Sequence, residues 1–139
     1  MHFRIDVAPA IQTIRAYADD AVRSMRDTYG LCLDHSLESL AHLDDVLATW
    51  HEDGATADTM TPSIFAFGSY AGEVLCEHEP GRWIEPPTND HGAWDDLFPF
   101  VRLLDGREWR PIGLAFAALM DGPPYSLLQS ARRLLATGA

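Results

Sequence analysis

The sequence predicts an α+β domain, mostly helical, in the order three helices, a small antiparallel sheet of about three strands, then two helices. Three observations predict it. Apolar residues recur at three- and four-residue steps before position 79 and again after position 110. Between these stretches, short β-prone runs flank an Asp105-Gly106 turn dipeptide. Pro80-Gly81 and Gly122-Pro123-Pro124 separate the three parts.

The first helix is expected to begin after Asp6, with Pro9 in its first turn, where a missing N–H costs little. Its apolar stripe is Ile11, Ile14, Tyr17, Ala18, Ala21, Val22, Met25 and Tyr29, and Gly30 is its stop. Asp34 is the expected N-cap of the second helix. Leu33, Leu37, Leu40, Leu43, Leu47 and Trp50 form its buried stripe, and His35, Glu38, His42, Asp45 and Thr49 the opposite face. Asp53-Gly54 ends it, and residues 55–60 read as a loop. Thr61-Pro62 is expected to open a third helix, running through Ile64, Phe67, Ala71, Val74 and Leu75 to His78. Gly68 and Gly72 share a face of it. A glycine inside a helix costs about 1 kcal/mol relative to alanine. Close approach of another backbone is the expected reason for both.

Residues 82–85 and 98–104 read as strands, with 86–96 an irregular loop between them. Asp105-Gly106 matches a two-residue type I′ hairpin turn, and 107–110 would be the returning strand. Pro111 is placed to start a fourth helix, apolar on nearly every side from Ile112 to Met120; a buried strand is the alternative for so short a run. Ser126 can cap a final helix carrying Leu127, Leu128, Ala131, Leu134 and Leu135.

A chain of 139 residues, 47% apolar and 22% charged, is expected to fold as a single domain over residues 1–139. No apolar run reaches the roughly 18 residues of a membrane span. The first residues carry no signal-peptide pattern, so a cytoplasmic location is expected. Cys32 and Cys76 are then expected to be reduced thiols, not a disulfide.

Charge is the clearest signal. The net charge is −11, and every base is arginine. No base lies between Arg26 and Arg82, while that interval holds eleven acids, from Asp27 to Glu79. Phosphate would be repelled, which disfavours nucleic acid as a direct ligand. A basic partner is permitted, with Glu38, Asp45 and Glu52 of the second helix as the expected contact face. A face of this kind also serves simply to keep a protein soluble. Trp94, in a polar loop beside Asp95 and Asp96, is a further candidate partner contact.

Several chemistries are excluded or absent. Without lysine, the chain can form no lysine Schiff base and no P-loop lysine contact. GxGxxG, HExxH and GxSxG are also absent. Three constellations remain. If the second and third helices form an antiparallel hairpin, Cys32 and His35 approach Cys76 and His78, a donor set able to hold zinc tetrahedrally. The competing reading makes the cysteines small packing residues and the histidines surface groups. His35, Glu38 and His42 share a helix face that can do acid–base work, or be merely solvated. Tyr70, Glu73 and Glu77 form the third. Glu73 and Arg82 are expected to be buried polar groups, Glu73 at least half buried and paired with an arginine of the strand region, Arg82, Arg102 or Arg110. That pair docks helix to sheet in one reading; in the other, Glu73 is a general base.

The segment Phe67-Gly68-Ser69-Tyr70-Ala71-Gly72-Glu73-Val74-Leu75, followed by Gly81-Arg82-Trp83 and later Gly122-Pro123-Pro124-Tyr125-Ser126-Leu127, resembles a family of small bacterial domains of unknown function. The family carries a Gly-x-Tyr-x-Gly-Glu-Val helix and a Gly-x-Trp strand. The match spans roughly residues 34–130, with 86–96 as extra loop. The resemblance implies the α+β fold and no catalytic residue. The expected function is that of a non-catalytic acidic binding protein, an immunity, antitoxin or inhibitor-type partner of a basic bacterial protein, without a cofactor. The alternatives are a small enzyme or metal-binding protein using Cys32, His35, Cys76 and His78 or Glu73, and a small-ligand carrier with an aromatic pocket.

Overall fold

The computed structural model describes residues 10–86 and 98–137. Its α-helices are α1 Ile14–Tyr29, α2 Leu40–Glu52, α3 Ala57–His78, α4 Pro111–Asp121 and α5 Leu127–Ala136. Its strands are β1 Gly81–Ile84, β2 Phe100–Leu103 and β3 Glu108–Trp109, in spatial order β1-β2-β3, all antiparallel. The α+β class and the order of three helices, sheet and two helices are as the sequence predicts.

Helix α3 is the axis of the molecule. It packs against α1 on one side and α4 on another, and β1 and β2 lie against it; α2 packs chiefly on α4 and α5. From Ile64 to Gly72 every residue of α3 is buried. The two glycines account for how neighbours reach it. A Cβ on Gly68 would stand 2.5 Å from the Cα of Ile112, so here α4 meets α3 backbone to backbone. A Cβ on Gly72 would stand 2.2 Å from the ring of Trp83, so at this second glycine the close neighbour is a side chain of β1.

Several boundaries differ from the sequence prediction. The expected start of the first helix lies outside the described residues; within them α1 begins at Ile14, after a 3-10 turn at Ile11–Thr13. Gly30 ends it in the left-handed conformation, φ 66°, as a glycine stop requires. Asp34 does not cap α2. Its carboxylate accepts from the N–H (3.0 Å) and hydroxyl (2.6 Å) of Ser36, and Ser36 in turn caps a 3-10 turn, Leu37–Ser39, that leads into α2. Helix α3 starts at Ala57, more than a turn before Thr61-Pro62, with Pro62 inside it. Pro62 is the sixth residue of the helix, past the first-turn N–H groups that lack intrahelical acceptors, so it removes a single internal bond.

The hairpin turn differs too. Leu103 N–H donates to Arg107 O (2.8 Å) and Gly106 N–H to Leu103 O (2.9 Å). Gly106 alone takes positive φ, 97°. This is a three-residue loop, 104–106, closing on a left-handed glycine, where a type I′ turn would need two. The Arg107 guanidinium fixes it, bonding Asp105 (2.8 Å), Glu79 (3.0 Å) and the Leu134 carbonyl. Pro111 opens α4, and Ser126 caps α5 by accepting from Gln129 N–H, both as predicted.

No helix among the described residues is long and apolar enough to cross a membrane.

Candidate functional site

The segment between α1 and α2 places the first candidate. His35 has φ 65°, the one positive φ outside glycine among the described residues. A part-buried chain of hydrogen bonds holds it there. His35 N–H donates to the Tyr70 hydroxyl (2.9 Å), which lies 2.7 Å from Ser39 Oγ; Ser39 Oγ donates to Ser36 O (2.6 Å). Each hydroxyl has one proton, so the chain runs from His35 through Tyr70 and Ser39 to Ser36. Tyr70 is fully buried, and burial raises its phenol above the ordinary range. The His35 ring stands 5.2 Å from the Tyr70 ring, and its Nδ1 lies 2.9 Å from Glu77 Oε2.

This imidazole forms part of a cleft of about 300 Å3, lined also by Arg15, Ala18 and Asp19 of α1 and by Glu73 and Glu77 of α3. Arg15 and Asp19 are one helical turn apart, as are Glu73 and Glu77, so two charged rows face each other across it. Glu73 is part-buried. Among the described residues it has no ion-pair partner within 4 Å, and the expected pairing with a strand arginine is not made. The reason is angular. Gly72 faces β1, and the next residue is turned about 100° away, toward α1. Arg82, expected to be buried, is exposed; Arg102 and Arg110 share Glu108, at 2.8 and 3.4 Å. The Arg102 hydrogen bond holds the Glu108 carboxyl below its ordinary range.

The four metal candidates do not gather. No group of three or more His, Cys, Asp or Glu side chains among the described residues is placed to hold a metal ion. Cys76 and His78 are about 200° apart around α3; Cys76 packs against the core while His78 is exposed. Burial, with Glu73 adding to it, pushes the Cys76 thiol up to about 11, which keeps it protonated. Cys32 is exposed, and both thiols are free. The antiparallel hairpin of the second and third helices that this donor set required gives way to α2 on α4 and α5, though Trp50 still stacks on Phe67 at 5.5 Å. The face of His35, Glu38 and His42 is also broken, because His35 precedes the helix in a left-handed conformation.

Glu38, Asp45 and Glu52 are all exposed. Glu38 lies 3.7 Å from Arg132 of α5. Asp45 and Glu52 have no ion-pair partner within 4 Å among the described residues. Trp94 lies outside the described residues.

Asp44 is a residue that the sequence reading missed. Its carboxylate leaves α2 and caps α5, accepting from Ser126 Oγ (2.7 Å), Leu127 N–H (2.7 Å) and Leu128 N–H (3.2 Å). Its position one turn from Leu40, between Leu43 and Leu47, was the available signal, since that is the inward face. Arg15 and Asp19 had no comparable signal, because only packing brings α1 beside Glu73.

No family model matches the chain, and no curated protein and no solved structure matches it either. The α3 motif therefore assigns it to no family.

Proposed function

We propose that this chain is a non-catalytic acidic binding protein, an immunity, antitoxin or inhibitor-type partner of a basic bacterial protein acting in the cytoplasm, and that it docks through the outer face of α2. One observation carries the reading: Asp45 and Glu52 stand seven residues apart on α2 and are both exposed, with Glu38 exposed on the 3-10 turn that leads into the helix. Seven residues of α-helix are nearly two turns, so Asp45 and Glu52 differ by only about 20° around the axis. The rise sets their backbone positions about 10 Å apart. Basic side chains spaced along a partner's helix or strand can meet such a row. Asp45 and Glu52 have no compensating base among the described residues, so their field is directed outward. The same field disfavours nucleic acid.

Affinity capture at low and high salt tests the reading, using the natural chain and a Glu38→Arg, Asp45→Arg, Glu52→Arg variant. A basic protein held by the natural chain at low salt, released at high salt and ignored by the variant is the expected result. Equal capture by both proteins overturns it.

A further inference from the structure

The cleft between α1 and α3 carries an inference independent of the α2 face. Arg15, Asp19 and Glu73 line one cavity of about 300 Å3, bear charges of both signs, and make no ion pair within 4 Å among the described residues. Here Arg15 and Asp19 are a turn apart on one helix, Glu73 stands on the facing helix, and the cavity separates them. Glu77 is already engaged with His35, which fixes the wall, and the buried Tyr70 hydroxyl fixes His35. One wall is thus set by His35 and Glu77 with the part-buried Glu73 beside them, while Arg15 and Asp19 are exposed side chains at the rim, open to a ligand of complementary charge.

We propose that this cleft binds a small zwitterion of the basic amino acid class, with its carboxylate on the Arg15 guanidinium and its side-chain cation on Glu73 and Asp19. Three features select that class. The guanidinium is shaped for a carboxylate, which it takes through paired N–H donors. Carboxylates outnumber bases in the lining, so the ligand carries a surplus positive group. The volume is at the small end of ligand pockets, which suits a single amino acid and excludes a nucleotide or long peptide. The acidic donors are too dispersed for a bare metal ion, whereas a guanidinium or alkylammonium spans them.

Calorimetric titration of the full chain with L-arginine, agmatine and norvaline tests this. Agmatine lacks the carboxylate, and norvaline lacks the side-chain cation. Saturable binding of arginine is expected, with agmatine and norvaline each weaker by roughly tenfold or more. Arg15→Gln is expected to erase the preference for arginine over agmatine, and Glu73→Gln that for arginine over norvaline. Thermal melts of both variants establish that they fold. An Asp53→Asn control, at an exposed position outside the cleft lining, is expected to bind as the natural chain does. Absence of saturable arginine binding by the natural chain overturns the proposal. So does agmatine binding as tightly as arginine, or affinity unchanged in both folded variants.

Discussion

Asp44 on α2 holds the first turn of α5 from 82 residues away, its Oδ2 accepting from the hydroxyl of Ser126 at 2.7 Å. The same carboxylate takes the N–H groups of Leu127 and Leu128, two of the donors that a helix start leaves without partners. Ser126 Oγ meanwhile takes the N–H of Gln129. Two side chains from distant segments thus satisfy one helix end. Removing the carboxylate with Asp44→Ala should cost about 1.5–3 kcal/mol, the range for hydrogen bonds to charged groups. Urea unfolding measures it. A loss within about 0.5 kcal/mol, typical of surface changes, would show that α5 is held by its apolar face alone.

The acid response of Asp44 has a definite sign. Burial raises its carboxyl above the ordinary value and outweighs the three donors that pull it down. The folded state then binds the proton more tightly than the unfolded state, in which the value is about 3.9. Such a group contributes stability that is fully present below the unfolded value and is lost as pH rises through the folded one. Asn does not titrate and marks the baseline. The stability difference between the natural chain and Asp44→Asn should favour the natural chain most in acid and shift toward Asn as neutrality is approached. A difference moving the other way would mean that the donors prevail over burial.

Gly68→Ala and Gly72→Ala should both destabilise, although alanine is the better helix former by about 1 kcal/mol. The Gly68 change is expected to be the worse. Its new methyl meets the backbone of Ile112 at 2.5 Å, and α4 can yield only by moving away. The Gly72 methyl meets the ring of Trp83, a side chain that is not fully buried and can swing aside. Overpacking of this kind costs roughly 1–3 kcal/mol. Thermal denaturation of the two variants reads the order directly, and a more stable Gly68→Ala would show that α4 does not sit against α3 as described.

Charge reversal at Glu38, Asp45 and Glu52 should leave the fold intact, each change staying within about ±0.5 kcal/mol. The Glu38→Arg component alone removes a contact, that with Arg132. Relief of repulsion among the acids offsets it. Circular dichroism melts measure the outcome, and a cooperative loss of structure would mean that the row faces inward.

The two thiols should label in sequence. Cys32 is exposed, while the Cys76 thiol is pushed up to about 11 by burial and so presents almost no thiolate at neutral pH. A maleimide should modify Cys32 in the native protein and Cys76 only after unfolding, without prior reduction. Native-state labelling of both at similar rates would show that the end of α3 opens readily.

Local pattern was enough for the class and order of the fold. The stripes of α1 and α2, Gly30 as a stop, Pro111 and Ser126 as starts, and the short strands around Asp105-Gly106 all depend on residues a few positions apart. The same logic fixed exclusions that no fold can change, such as lysine chemistry in a chain without lysine. It failed where two local signals competed. Thr61-Pro62 looked like a start because proline favours first turns, but Pro62 stands one turn further in, where α3 forgoes one internal bond and continues through its buried face. Asp34 looked like a cap, yet Ser36, two residues on, had the right reach to Ser39 N–H.

What surrounds Glu73 was decided by tertiary structure. Its place on α3 could be read from spacing, but whether the next turn of chain to meet it came from the sheet or from α1 could not. Gly72 took Trp83, and that packed β1 to one side and left Glu73 facing Arg15 and Asp19. Asp44 reached α5 for the same kind of reason, since α2 settled on α4 and α5 instead of pairing with α3. Helix periodicity specifies which residues share a face. Which face meets which is set by the volumes, and at Gly68 by the absence of a side chain, at contacts between segments far apart in the chain.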